Sequence, residues 1–392
     1  MTIIQPPRLR IGEDSEEERR ATWLELFYDL VFVVAVSQIA HNLKEDVSLA
    51  GVLRFVVLFI PIWWSWIGTT FYANRFDSDD VAHRLLVGLQ MLTAAAMAVN
   101  IHHGLDESSP GFALAYALGR VVLVIEYVRA GIHIPLARPL TNRYAVGFAI
   151  AALLWLISAF IPAPWRFVLW GLGITLDFAT PLTGRNHQLG LLPHASHLPE
   201  RFGLFTMIVL GEAIIAVVNG VAQQKWELYS VITAILGLSL AFGLWWIYFD
   251  NLGGTPIQTA KKEGKTIVLN LWLYTHLPLV IGIAATGVGV ETILLNQPGV
   301  ALPDLARYLI CGAVALCLLS VGILHRVGVI RYCKIRAQFR VFGALTLVLV
   351  AIVGKGLLPI SIMAIAALVT TVQVVQDLYQ SRPTTRLLDP EI

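Results

Sequence analysis

Charge is scarce in this chain. Only 14% of its 392 residues are Asp, Glu, Lys or Arg, while 57% are hydrophobic. With a mean hydropathy of +0.71, that balance excludes a soluble globular domain, in which about a quarter of the residues are charged. An excess of either sign is also missing. A net charge of +2 offers nothing to a polyanion and excludes nucleic acid as a partner. Cysteine is rare, and Cys311, Cys317 and Cys333 lack the spacing of a disulfide framework or a CxxC metal site. No GxSxG, HExxH, P-loop or glycine-rich nucleotide fingerprint occurs, so the chemistries those motifs mark have no support and an enzyme is not expected. The opening residues, with "IGEDSEEERR", lack the basic, apolar and small-residue layout of a signal peptide, and 1–22 is expected to stay as a cytoplasmic arm.

What the sequence has is long apolar runs. Twelve stretches of about 17–25 residues, each enough to cross ~30 Å of hydrocarbon as a helix, fall near 23–43, 48–72, 81–102, 112–130, 143–162, 165–183, 200–220, 228–250, 265–290, 303–324, 337–354 and 357–378. The expected fold is all-α, a polytopic bundle of about twelve transmembrane helices in a lipid bilayer. Placing the N-terminus in the cytoplasm puts all but six of the 28 Lys and Arg, the mid-helix Arg120 aside, in inner segments. That is the positive-inside pattern, and it puts both termini of a multi-pass cell-membrane protein in the cytoplasm. "ELFYDLVFVVAVS" in the first run and "ERFGLFTMIVLGE" in the seventh, each followed by a Trp pair in the next run, suggest two parallel six-helix repeats. The halves would span 23–183 and 200–378, joined by a cytoplasmic linker at 184–199 and ending in a cytoplasmic tail at 379–392.

An unpaired charge at mid-bilayer costs at least about 2.5–3.5 kcal/mol, so each one needs a reason. Thr22-Trp23-Leu24-Glu25 has the form of a capping box, which accounts for Glu25 at the start of a helix. Asp29 lies a turn further in and shares a polar stripe with Glu25, Ser37 and His41. Glu212 is about 18 Å into the seventh run at ~1.5 Å per residue, beyond capping or snorkelling. Gly211, Ala213, Ala216 and Gly220 beside it would admit another helix or a ligand. Arg120 and Glu126 sit on different faces of one run, so Arg120 needs an acid from elsewhere, with Asp177 and Glu212 as candidates. Asn270 and His276 lie in the ninth run, and His276 precedes Pro278, which frees a carbonyl in mid-helix. His194-x-x-His197, His187 and His102-His103 lack a convergent third ligand, and no metal or other cofactor is expected.

"WLELFYDLVFVVAVSQIAHNL" followed half a chain later by "HLPERFGLFTMIVLGEAI" resembles the signatures of the bacterial low temperature requirement A family. The shared positions are Glu25, Phe27, Asp29, Phe32, His197, Glu200, Arg201, Phe202, Gly211 and Glu212. The resemblance implies a polytopic plasma-membrane protein named for a growth requirement in the cold, and no settled activity. Tyr28-Asp29 is similar to half of an intramembrane aspartyl protease pair. Its GxGD partner is missing, since Asp177 stands in "ITLDF" and Asp250 in "IYFDN". The expected function is a secondary transporter of a small solute or ion, with Glu212, Asp29, Asp177, Arg120 and His276 along the path. The alternatives are an ion channel lined by the same acids and the Trp-rich second and eighth runs, or a structural or regulatory membrane protein. Nothing in the sequence speaks to the oligomeric state.

Overall fold

A computed structural model describes residues 5–9, 21–78, 80–183, 191–194, 196–225, 227–250, 257–258, 264, 266–327 and 333–381. His187 and parts of the expected arm, linker and tail (10–20, 184–190, 382–392) lie outside the described residues. Among those residues twelve long helices follow one another: α1 Trp23–Glu45, α2 Leu49–Arg75, α3 Val81–Val99, α4 Ser109–His133, α5 Arg138–Ser158, α6 Trp165–Thr183, α7 His197–Ala222, α8 Leu228–Phe249, α9 Thr266–Leu295, α10 Asp304–Val327, α11 Cys333–Val353 and α12 Pro359–Ser381. Each falls on one expected run. Eleven are long and apolar enough to cross a membrane. The other, α6, has 19 residues but interrupts its apolar run with Arg166, Asp177 and Pro181.

The helices start where local chemistry says they should. The Thr22 hydroxyl accepts from the Glu25 amide, and the Glu25 carboxylate accepts from the Thr22 amide, so the capping box is formed. Ser48 caps α2 and Asp80 caps α3. Large apolar side chains such as Trp23, Phe27, Leu30 and Val34 of α1 point outward, where lipid replaces water. Between the helices the attraction is then van der Waals packing and hydrogen bonding rather than water exclusion, and it favours small residues at close crossings. At Gly287 of α9 any Cβ would lie 2.9 Å from the Ala213 Cα of α7, so only glycine permits that approach.

Side-chain bonds between helix ends fix the alternation of the bundle. On one face, called here the near face, the start of α1 meets the start of α7 and the end of α2 through Glu25, His197 and Asn74. The start of α11 meets the ends of α8 and α12 there, through Arg336, Asp250 and Asp377. On the far face the end of α1 meets the end of α9 through Lys44 and Glu291, and Arg307 at the start of α10 donates to the Ala351 carbonyl at the end of α11. The first and last helices thus put their chain ends on the near face. Also on that face, Arg8–Leu9 (β1) pairs antiparallel with Phe76–Asp77 (β2), and the Gln5 amide donates to Asp80 Oδ2 at 2.9 Å. Burial pushes the Asp80 carboxyl up, but the Gln5 and His83 amides and the Arg129 guanidinium outweigh it and hold the group below the usual aspartate range.

Packing runs in the same order in both halves. The first helix of each lies on the second and third, the third on the fourth, the fourth on the fifth and the fifth on the sixth. The halves differ in that α8 packs along α12, whereas α2 reaches α6 through Trp64 stacked on Phe178 at 4.2 Å. The halves meet where α1 and α2 lie against α7 and α9. The seam between α1 and α7 crosses the bundle from face to face.

Candidate functional site along the α1/α7 seam

At the near end of the seam, one turn of α1 puts Glu25 and Asp29 on the same side, and one turn of α7 does the same for His197 and Arg201. Arg201 bridges the two acids, with Nη1 3.1 Å from Glu25 Oε1 and Nη2 2.5 Å from Asp29 Oδ1. The Trp66 indole of α2 donates to the same Asp29 oxygen at 2.7 Å. His197 Nε2 lies 3.4 Å from Glu25 Oε2. On the other side of that ring, the Asn74 amide of α2 is 2.9 Å from His197 Nδ1. The Asn74 carbonyl oxygen accepts from the His194 amide at 2.7 Å, so its nitrogen faces the imidazole and donates. The other ring nitrogen, Nε2, is the one directed at Glu25. Asp29, His197 and Arg201 are at most 1% exposed. Four of the family positions, two from the start of α1 and two from the start of α7, form this one cluster.

Asp29 therefore bonds a basic residue inside the bundle, and the capping Glu25 also closes the contact between α1 and α7. Trp66 and Asn74, essential to this geometry, were not singled out in the sequence. Their only signal there is polarity in an otherwise apolar α2.

The far end of the seam is built differently. Glu212 of α7 is 8% exposed, and its Oε2 is buried without a hydrogen-bond partner. It lines a partly open cleft of about 90 Å³ with Ser37, His41 and Lys44 of α1, Asn219 of α7, and Gly287 and Glu291 of α9. At the rim, Lys44 Nζ bonds Glu291 Oε1 at 2.5 Å, and His41 lies 3.3 Å from Glu45. Gly211 is not the point of close approach expected of it. A Cβ there meets open space, whereas two of the other small residues expected to admit a neighbour do so: α9 comes close at Ala213 and at Gly220, where Leu294 stands 2.7 Å from a would-be Cβ. Glu291 escaped sequence analysis because the apolar run was ended at residue 290, one residue short of it.

The other candidates lie off the seam. Arg120 Nε is 3.4 Å from Asp177 Oδ2, and Tyr116 binds both, accepting from Arg120 at 2.9 Å and donating to Asp177 at 2.5 Å. Of the two acids offered as partners, Asp177 is the one in contact, and the pair ties α4 to α6. Glu126 accepts from Gln90 of α3 at 2.7 Å and stands 3.4 Å from His83. His276 Nδ1 is 2.7 Å from the Trp272 carbonyl, and Nε2 is 3.1 Å from the Tyr248 hydroxyl. Phe202 packs edge-on to that imidazole at 4.6 Å, so His276 belongs to an aromatic core around the near end of the seam. Asn270 lines a small space shared with Arg75, Tyr127 and Tyr144. Phe27 is 57% exposed and faces away from the cluster, and Glu200 is half-buried in the first turn of α7. Among the described residues, no group of three or more His, Cys, Asp and Glu side chains is placed to hold a metal ion.

The family described as bacterial low temperature requirement A protein matches this chain over residues 20–375. At 29% identity over 308 residues, the chain is also similar to Uncharacterized protein RA0937 of Rhizobium meliloti (strain 1021), an alignment that covers 74% of this chain and 73% of that protein.

Proposed function

The chain belongs to the bacterial low temperature requirement A family, and from that premise and the geometry of the seam we propose that it is a secondary transporter. It moves a small solute or ion along the α1/α7 seam, with intramembrane carboxylates in the path and both chain ends in the cytoplasm. The observation that carries this reading is Glu212, a buried acid at the edge of a cleft that, unlike Asp29 or Asp177, bonds no donor among the described residues through either oxygen. A buried carboxylate held only for packing would be expected to find a donor, because leaving it unmatched is costly. The two opposite ends of the seam support alternating access, since a cleft open at one end and a bonded lock at the other is what one half-cycle requires. The excess of Lys and Arg on the near face supports the orientation.

A channel lined by α2 is less well supported. Trp63, Trp64 and Trp66 are buried, and Trp64 packs in one cluster with Phe178 and Tyr274 rather than lining an open path. Tests use the full chain in liposomes loaded with a pH-sensitive dye and pulsed with ammonium, alkali-metal, amino-acid and carboxylate salts. The expected result is a saturable, solute-dependent pH change that Glu212→Gln abolishes. A voltage-driven current without saturation would make the protein a channel, and silence towards every salt would overturn transport.

A further inference from the structure

We infer that the far-face cleft binds one small monovalent cation of the ammonium class. The inference rests on the proposed reading of the seam as a transport path and names what enters it. The first observation is a charge count. The cleft holds two carboxylates, Glu212 and Glu291, and one ammonium, Lys44. Lys44 is committed to Glu291 at 2.5 Å, and His41 faces Glu45 outside the cleft. Glu212 is the carboxylate left without a base.

The second observation is independent of the count. Glu212 is more than nine-tenths buried, and among the described residues no donor bonds its carboxylate. Such a carboxylate wants an N–H or O–H, and an ammonium ion supplies both the donor and the charge. The cleft already accommodates this chemistry at its rim, where the Lys44 head group sits on a carboxylate.

Ligand number narrows the class. The partly open cleft, with a space of about 90 Å³, has room for ammonium or methylammonium. The remaining polar groups are the Ser37 hydroxyl and the Asn219 amide. With Glu212 they make a sparse set of oxygens, whereas a hard divalent cation calls for six or more. A single unmatched charge likewise calls for a monovalent ion.

The test measures binding directly on the purified full chain in detergent. Thermal unfolding is followed with ammonium, methylammonium, sodium, potassium and choline chlorides at one ionic strength and near-neutral pH. The expected result is a saturable upward shift with ammonium and methylammonium alone, lost in Glu212→Gln and strengthened in Lys44→Met, which leaves a second carboxylate unmatched. If Glu212→Gln does not fold, Glu212→Asp, which withdraws the carboxylate by one methylene, should weaken the shift severalfold. Equal shifts with all five salts, a shift retained in the Glu212 variants, or none in the wild type would overturn the inference. Saturable ammonium binding without flux in liposomes would sink the transport reading and leave the site. Flux of another solute without cation binding would do the reverse.

Discussion

At the near end of the α1/α7 seam a single guanidinium, Arg201, holds two carboxylates from the neighbouring helix, with further bonds from Trp66, His197 and Asn74. At the far end Glu212 bonds no donor among the described residues, and the lysine of the same cleft, Lys44, is held by Glu291. Both ends are built from the same two helices, and both put acids where lipid surrounds the protein. The difference lies in satisfaction. A buried carboxylate held by a base through one oxygen, as Asp29 is by Arg201 although its Oδ2 has no hydrogen-bond partner, costs much to disturb, so it joins helices. One held through neither oxygen gains most from a ligand that arrives. Burial alone does not separate the two cases, since Asp29 and Glu212 are both more than nine-tenths buried. The separating quantity is whether the partner is supplied by the chain.

That contrast can be broken most severely at Arg201. Replacing it with Ala leaves Glu25 and Asp29 buried against each other, and the expected cost is about 3–5 kcal/mol. Folded, extractable protein should fall sharply. The triple variant Arg201→Met, Glu25→Gln, Asp29→Asn should recover most of the loss, because no bare charge remains. If Arg201→Ala is as stable as wild type, the near end is hydrated and is not a lock.

Arg120 tests the same rule away from the seam. Arg120→Ala should cost about 3 kcal/mol, with partial rescue by Asp177→Asn, both measured as thermal stability in detergent. Rescue by Glu212→Gln instead would move the ion pair to the seam and undo the contrast.

Asp80 is expected to contribute less, at the near-face surface. Its carboxyl is held below the usual range, so it stabilises the fold fully above the ordinary aspartate pKa of about 4. That contribution is lost as pH falls through the lower folded value. Asp80→Asn should therefore weaken the fold at neutral pH, with the gap to wild type closing in acid. A gap that widens in acid would reverse the sign.

The smallest effect on stability is expected at Glu212. Glu212→Gln keeps shape and removes charge, so it should unfold within about 0.5 kcal/mol of wild type while abolishing cold-growth complementation and solute flux. A large loss of stability with complementation intact would make it a packing residue.

The spans were legible in the sequence because a bilayer imposes a length on every crossing, and the capping box because its partners lie three residues apart. Glu212 was legible as an anomaly of depth, for its position alone excludes the usual excuses for a charge. The near cluster was legible only as separate letters. Nothing local links Asp29 to Arg201 or Trp66, and their meeting depends on how α1, α2 and α7 cross. Gly211 misled because a glycine beside an acid shows that space is available, not which helix uses it. Lys44 and Glu291 were read as loop residues because apolar periodicity fades at a membrane surface before the helix ends.

The central claim is that the seam is open at the far end while locked at the near end. It is tested by replacing Cys311, Cys317 and Cys333, placing a cysteine at Ser37, and labelling with a membrane-impermeant maleimide from each side of oriented vesicles. The account predicts reaction from the side opposite the chain termini, slowed by ammonium and unaffected by choline, with little reaction from the terminus side. Equal labelling from both sides would mean a continuous pore, labelling from neither would mean a closed seam, and either result would contradict the account.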